Sequence, residues 1–128
     1  MADWWQWSPK KEEEALTFAV VGVGRFGTAV CRELINNGAD VLAADYSEKA
    51  IDDLRQLEPS IEARVVDCTD EESMKESGIL EMNTVVVGIS EPIEASITTT
   101  LIAKDSEGTK VKRVICLLYT SPSPRDKR

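Results

Sequence analysis

The residues best suited to chemistry in this chain are three glycines whose spacing favours phosphate binding. Gly22, Gly24 and Gly27 follow an apolar run and precede a segment with helical spacing. In a Gly-x-Gly-x-x-Gly turn the first glycine permits the tight turn and the second lets the backbone approach a pyrophosphate. The third lets the helix pack close to the strand. Free N–H groups and the dipole of the following helix attract anions. The turn therefore predicts a nucleotide site, and the alternative is a plain β-turn-α corner with no ligand.

A carboxylate stands where such a site would use one. Asp45 ends a second apolar run, eighteen residues after Gly27. An acidic side chain at this place accepts hydrogen bonds from a ribose 2′-hydroxyl and repels a 2′-phosphate. No arginine occurs among residues 46–48. We therefore expect NAD(H) or ATP/ADP rather than NADP(H); the alternative for Asp45 is a strand end that faces solvent.

Four further residues are predicted to lie at the same edge of the sheet. Arg25, inside the turn, is an unfavourable charge at a helix start unless an anion accompanies it, so we expect it near a phosphate of the nucleotide or near a neighbouring subunit. Asp67 and Thr69 close the third strand, where they would meet the adenine, although Thr69 with Glu72 also predicts a capping box. Gly88 borders the crevice after the fourth strand, with a simple loop as the alternative.

Composition excludes several classes of protein. The chain has 128 residues and a formal net charge of −8, which allows one domain and disfavours a nucleic-acid binder. It contains no histidine, and it lacks a Tyr-x-x-x-Lys pair. We therefore predict no catalytic residue, no metal ligand and no enzymatic activity. The chain has three cysteines, and none of them form a Cys-x-x-Cys motif. This usage indicates a reducing compartment, and the cytosol is the default expectation.

The order of patterns predicts an α/β fold with a Rossmann-like, doubly wound parallel sheet covered by helices on both faces. The predicted strands are residues 17–21, 40–44, 62–66, 84–89 and 112–116. The predicted helices are residues 25–37, a segment capped by Ser47 that ends before Pro59, a segment from Thr69 to near Gly78, and residues 92–104.

Both ends of the chain differ from this pattern. Residues 1–16 form a leader that contains Trp4, Trp5 and Trp7 before a charged run. Its indoles would cover an apolar patch of the domain or act as a docking peptide. A membrane-surface anchor is a third alternative, which the adjacent glutamates disfavour because anionic lipid would repel them. Residues 117–128 form a Ser/Pro-rich tail, which we expect to be non-native, since it resembles a translated sequencing adapter, or disordered. Residues 17–116 are thus the predicted nucleotide-binding domain.

Several motifs together resemble the N-terminal domain of the RCK/KTN family, the cytosolic regulators of Trk and Ktr potassium uptake systems. They are Gly-Val-Gly-Arg-Phe-Gly at 22–27, Asp45, Asp67-Cys68-Thr69, and Val86-Val87-Gly88-Ile89. The resemblance implies NAD(H) or ATP/ADP as the ligand, with Arg25 near the terminal phosphate. The predicted nucleotide contacts are Gly22, Gly24, Arg25, Phe26, Gly27, Asp45, Asp67, Thr69 and Gly88.

The resemblance also implies a function. Members of that family assemble as dimers into rings and control a membrane potassium-translocating subunit from the cytoplasmic side. They continue beyond the point where this chain stops, so we expect a C-terminally truncated domain. Two alternatives remain: the NAD-binding half of a truncated dehydrogenase, and a redox-sensing NAD-binding module without a channel partner.

Overall fold

A parallel sheet forms the centre of the molecule. The computed structural model describes residues 16–89 and 92–116. Within them the sheet has five strands in the order β3-β2-β1-β4-β5, and every neighbouring pair is parallel. The strands are β1 (Thr17–Val21), β2 (Asp40–Asp45), β3 (Glu62–Val65), β4 (Thr84–Val87) and β5 (Arg113–Cys116). Every residue of β4 is buried, as expected for a β-branched strand covered on both faces.

Helices connect the strands and cover the sheet. They are α1 (Arg25–Asn36), α2 (Glu48–Leu57), α3 (Glu71–Ser77) and α4 (Ile93–Asp105), with a short 3₁₀ helix at Ile79–Glu81. Ser47 begins α2 as expected, since its side chain accepts a hydrogen bond of 3.1 Å from the Ala50 N–H. Gly78 ends α3 in the left-handed conformation, at φ +95°.

Alternate strand residues point to opposite faces, and each face has its own core. On one face Val20 and Val86 pack with Cys31 of α1 and with Ile51 and Leu54 of α2. The other core lies beneath α3, the 3₁₀ helix and α4, and it includes Val21, Val85, Met74, Ile79 and Ala103. The predicted doubly wound α/β fold is therefore confirmed.

The start of α3 differs from the sequence prediction. The Thr69 and Glu72 capping box is wrong, because Asp70 is the capping residue and its carboxylate accepts a 3.0 Å hydrogen bond from the Ser73 N–H. Thr69 instead donates its hydroxyl to Asp67 at 2.6 Å. Both residue types cap helices well, and the local pattern does not decide between adjacent candidates.

Most predicted boundaries agree with the structure to within one residue, with one larger difference and one element that the sequence did not predict. β4 ends at Val87, two residues earlier than expected, where the chain turns at Gly88. The 3₁₀ helix after α3 has no apolar periodicity that would predict it.

Leader residues 1–15 and tail residues 117–128 lie outside the described residues, so the predictions for them stay predictions. No helix among residues 16–89 and 92–116 is long and apolar enough to cross a bilayer.

Gly22 is the residue whose replacement tests the packing of the turn. It has φ +93°, and a Cβ on it would lie 2.9 Å from backbone atoms of Gly88 and Ile89. Gly38 after α1 has a similar φ of +84° but open space around it. We expect Gly38→Ala to lower the free energy of unfolding by about 1–2 kcal/mol, the cost of the left-handed backbone alone. Gly22→Ala should cost about 3 kcal/mol or more, since overpacking adds to that term. Urea unfolding of both variants measures the difference, and equal losses would contradict the close packing of Gly22.

Candidate nucleotide-binding site

The cleft of interest lies at the carboxyl edge of the sheet, where the direction of strand order reverses. β1 pairs with β2 on one side and with β4 on the other. From β1 the chain continues into α1 on one face, and from β4 it continues into α4 on the opposite face. Ligands of open α/β sheets bind at this switch point. A cleft of about 550 Å³ opens there.

Most of the predicted site residues meet in this cleft. Six of the nine line it, namely Gly22, Gly24, Asp45, Asp67, Thr69 and Gly88. Their sequence separation is large, and the parallel strands bring them together because the carboxyl ends of β1 to β4 share one edge. A second cavity of about 500 Å³ lies at the opposite edge of the sheet and contains none of the predicted residues.

The glycine turn is packed closely against its neighbours. A Cβ on Gly27 would overlap the carbonyl oxygen of Gly22, so the first turn of α1 sits directly on the end of β1. A Cβ on Gly88 would lie 3.0 Å from that same oxygen. Around Gly24, in contrast, a Cβ would find no atom within 4 Å. The turn is therefore tight where it meets the protein and open where a ligand would approach.

Asp45 holds the turn in place. One carboxylate oxygen, Oδ2, accepts a 2.8 Å hydrogen bond from the Val23 N–H, and Oδ1 accepts one of 2.8 Å from the Ser47 N–H. The main-chain carbonyl of Asp45 accepts a further bond of 2.9 Å from the Val66 N–H. Carboxylate oxygens have about two acceptor sites each. Asp45 therefore organises the loops around the cleft and still has acceptor capacity for a ribose hydroxyl.

The end of β3 is organised around a second carboxylate. Asp67 Oδ1 accepts hydrogen bonds from the Thr69 N–H at 3.1 Å and from the Thr69 hydroxyl at 2.6 Å. Between these residues the Cys68 carbonyl accepts a 2.8 Å bond from the buried hydroxyl of Thr99 on α4. The loop after β3 is thus attached to the helix on the far side of the cleft.

The other three predicted residues do not line the cleft. Gly27 is buried beneath the turn, while Arg25 and Phe26 are exposed at the start of α1, Phe26 with 55% of its surface accessible. Arg25 makes no ion pair with any residue in the described part of the chain. Direct contact of these residues with a nucleotide stays a prediction.

The cleft also contains residues outside the nine predicted contacts. Tyr46, Ser47, Cys68 and Ile89 line it beside the predicted residues, and Pro92 and Ala95 line it from the start of α4. Pro92 was expected only as a helix start. Its place beside the glycine turn depends on the pairing of β4 with β1, for which a local pattern carries no signal.

The charges in the cleft are distributed in a way that suits an adenine nucleotide. Asp45 and Asp67 make the end near β2 and β3 acidic, while the glycine turn presents the first N–H groups of α1. Those N–H groups have no carbonyl partner within their own helix. The helix start favours an anion, and the carboxylates at the other end favour hydroxyl donors.

Comparison with known proteins identifies the family. The model of the TrkA-N domain matches residues 18–122 of this chain. That range includes the glycine turn, Asp45, the sheet and α4. The chain belongs to the TrkA-N family. The resemblance found in the sequence motifs is thereby confirmed. The match runs into the segment 117–128, whose non-native or disordered character stays a prediction.

Two curated relatives share this TrkA-N region. The chain is 40% identical over 88 residues to the Ktr system potassium uptake protein C of Bacillus subtilis (strain 168), which covers 69% of this chain and 39% of that protein. It is 40% identical over 89 residues to the Ktr system potassium uptake protein A of Vibrio alginolyticus, covering 70% of this chain and 40% of that protein. Both are named as potassium uptake proteins, and this chain spans about two fifths of their length.

A solved structure shares the fold of this TrkA-N domain. The NAD(P)-binding domain of an exopolyphosphatase-related protein from Archaeoglobus fulgidus superposes with a TM-score of 0.63 at 24% identity. The superposition covers 86% of this chain and 76% of the other. It supports the assignment of a Rossmann-like fold.

Two of the cysteines in this TrkA-N domain are buried and remain thiols. Burial raises the pKa of Cys31 to about 12, and Glu58 adds to the shift. Burial also raises the pKa of Cys68 to about 12, with smaller contributions from Asp45 and Asp67. The thiolate is the reactive form of cysteine. Neither buried thiol is therefore suited to redox sensing at neutral pH, although Cys68 lies at the cleft.

The same two thiols should make the stability of the domain decrease at alkaline pH. Their pKa is near the ordinary value of 9.0 in the unfolded chain and about 12 in the folded one. Their contribution is complete below pH 9 and is lost as the pH rises toward 12, because the unfolded chain releases protons that the folded chain retains. Urea unfolding at pH 8 and at pH 10.5 measures the loss. Cys68→Ala should lose less stability between these values than the exposed Cys116→Ala control, and an identical loss in both would contradict the shift.

Proposed function

We propose that this TrkA-N chain binds NAD(H) or ATP/ADP and thereby regulates a membrane potassium-translocating subunit from the cytoplasmic side. The observation that carries the proposal concerns the Asp45 carboxylate. It accepts a 2.8 Å hydrogen bond from the Val23 N–H of the glycine turn, and it lines a cleft at the switch point of the sheet. The names of the Ktr system relatives support potassium uptake as the process.

The contacts of the nucleotide follow from the chemistry of the cleft. The diphosphate would bind the N–H groups at the start of α1 beside Gly24, and Arg25 would reach its terminal phosphate. The ribose would bind Asp45, and the adenine would lie against Asp67 and Thr69. Gly22, Gly27 and Gly88 act indirectly, because their lack of a side chain permits the close packing that forms the turn. Phe26 is proposed as a contact at the exposed rim, next to Arg25.

Regulation needs two states of the protein that bind the nucleotide with different affinity. A ligand shifts such an equilibrium only by the difference between its two binding free energies. The element suited to transmit the difference is α4, since Pro92 and Ala95 line the cleft while Ile93 and Ile97 lie exposed on the same helix. A change of ligand at one end of α4 would alter the surface that the helix presents.

That surface supports the homo-oligomer expected from the family. The fully buried residues of α4 are small or polar, namely Ser96, Thr99 and Ala103, and Ile102 packs against the core beside them. Three other large apolar residues of the helix face outward: Ile93, Ile97 and Leu101 are 51%, 49% and 53% exposed. They are spaced four residues apart and so form one continuous apolar stripe. We propose that a second copy of the chain covers this stripe.

Ligand titration tests the nucleotide site. We expect ADP, ATP or NADH to bind, and 2′-deoxy-ADP to bind about tenfold more weakly than ADP, since it lacks a hydrogen bond to a charged acceptor. NADPH should bind more weakly than NADH, because Asp45 repels the 2′-phosphate. Isothermal titration calorimetry measures all of these affinities.

Comparing ADP with 2′-deoxy-ADP removes the ribose contact without altering the protein. Asp45→Ala removes that contact and also the hydrogen bond from the Val23 N–H that holds the turn. Asp45→Ala should therefore weaken ADP binding more than removal of the 2′-hydroxyl does. Equal affinity for ADP and 2′-deoxy-ADP would contradict the ribose contact, and no binding of any nucleotide would contradict the proposed site. Binding of NADH alone would leave the dehydrogenase half and the redox module open as alternatives to the potassium regulator.

Oligomeric state tests the stripe on α4. Ile97→Lys places a charge at its centre and should shift the assembly toward monomer at least about tenfold in dissociation constant. Thr98→Lys, on an exposed polar position of the same helix, is the control and should leave assembly unchanged. Sedimentation velocity over a range of protein concentrations measures both. A wild-type chain that stays monomeric at high concentration would contradict the interface.

A further inference from the structure

The peptide groups on both sides of Val23 are fixed by side chains from other elements. The Val23 N–H donates to Asp45 Oδ2 at 2.8 Å. The Val23 carbonyl accepts a 2.9 Å hydrogen bond from the hydroxyl of Thr28, in the first turns of α1. The Val23 side chain is buried in the core, with 3% of its surface accessible. This residue of the glycine turn is thus held at its amide, its carbonyl and its side chain.

The bond from Thr28 determines which way the next amide points. In a trans peptide the C=O of one residue and the N–H of the next point in opposite directions. A Val23 carbonyl directed at Thr28 therefore directs the Gly24 N–H away from α1. Gly24 has no neighbouring atom within 4 Å of a would-be Cβ, and glycine tolerates most backbone conformations. On the Gly24 side no neighbouring atom restrains this peptide, and the side-chain hydrogen bond that orients it comes from Thr28.

The hydrogen bond of Thr28 is not the usual one for threonine in a helix. A helical threonine commonly donates to the carbonyl three or four residues earlier, as Thr100 of α4 does to Ser96 at 2.8 Å. The Thr28 hydroxyl donates to the carbonyl five residues earlier, outside the helix. Its N–H meanwhile donates to the Gly24 carbonyl at 2.9 Å, the first hydrogen bond of α1. Thr28 therefore donates a hydrogen bond to each of the two carbonyl groups on either side of the Gly24 N–H.

We infer that Thr28 is a positioning residue for the phosphate part of the nucleotide, and this inference rests on the proposed function. Its hydroxyl orients the Val23–Gly24 peptide so that the Gly24 N–H stands available to a diphosphate at the open side of the turn. Asp45 fixes the opposite side of the same residue. The site is thereby set for an anion before the ligand arrives, which lowers the cost of ordering the turn upon binding.

The test compares Thr28→Val, which keeps the shape and removes the hydroxyl, with Thr28→Ser, which keeps the hydroxyl. The probes are ADP, which carries the diphosphate, and adenosine, which does not; adenosine affinity is read from its competition with ADP. We expect Thr28→Val to weaken ADP binding about five- to tenfold, in line with loss of one hydrogen bond, and to leave adenosine binding within about twofold. Thr28→Ser should restore the ADP affinity to within about twofold of wild type.

Thr100→Val is the matched control, because it removes a helical threonine hydroxyl that has no bond to the turn. It should leave both affinities unchanged, and thermal unfolding of each variant verifies folding. The inference is overturned if Thr28→Val binds ADP as wild type does, if it weakens adenosine equally, or if Thr28→Ser fails to restore binding. Failure of the proposed function is distinguishable, since the wild-type chain would then bind neither ADP nor NADH.

Discussion

The carboxylate of Asp45 is the interaction on which the cleft depends. Its two oxygens hold the Val23 N–H of the glycine turn and the Ser47 N–H before α2, while its main-chain carbonyl holds the Val66 N–H after β3. Hydrogen bonds to a charged acceptor are about twice as strong as neutral ones. The three loops that follow β1, β2 and β3 are thereby kept in one arrangement, and the cleft between them has a defined shape.

Close backbone packing at the centre of the sheet is the second requirement. Gly22, Gly27 and Gly88 meet around the carbonyl oxygen of Gly22, where a side chain on any of them would collide with or crowd the backbone. This contact brings the end of β1, the start of α1 and the end of β4 together. Because α1 and α4 lie on opposite faces, the cleft opens between them, with the helix start on one side and Pro92 and Ala95 on the other.

The two faces of the sheet are completed in different ways. On the face covered by α1 and α2, Ile51 and Leu54 are buried against the strands, as in an ordinary amphipathic layer. On the other face α4 buries Ser96, Thr99 and Ala103, packs Ile102 against the core, and leaves Ile93, Ile97 and Leu101 exposed. The helix that borders the cleft is therefore also the helix with an apolar outer surface. This arrangement gives a physical basis for the proposed coupling between nucleotide and assembly.

The sequence by itself determined the class of fold and most of the site. Its apolar periods gave the strands and helices to within a few residues, since buried strands and amphipathic helices require those patterns. The glycine spacing, Asp45 and the Asp67 to Thr69 motif predicted a nucleotide cleft and the family. The sequence pattern places the cap of α3 one residue early, because Thr69 and Asp70 can both accept a hydrogen bond from the first turn of a helix.

Only the tertiary structure decided which contacts connect the strands, helices and loops around the cleft. The hydrogen bonds from Asp45 to Val23 and from Thr28 to Val23, and the place of Pro92 beside the turn, depend on contacts between elements. The outward direction of Ile93, Ile97 and Leu101 likewise depends on which face of α4 meets the sheet. Large apolar residues lie on more than one side of α4, with Ile102 toward the core and the other three outward, so the sequence pattern does not tell which side meets the sheet and packing decides it.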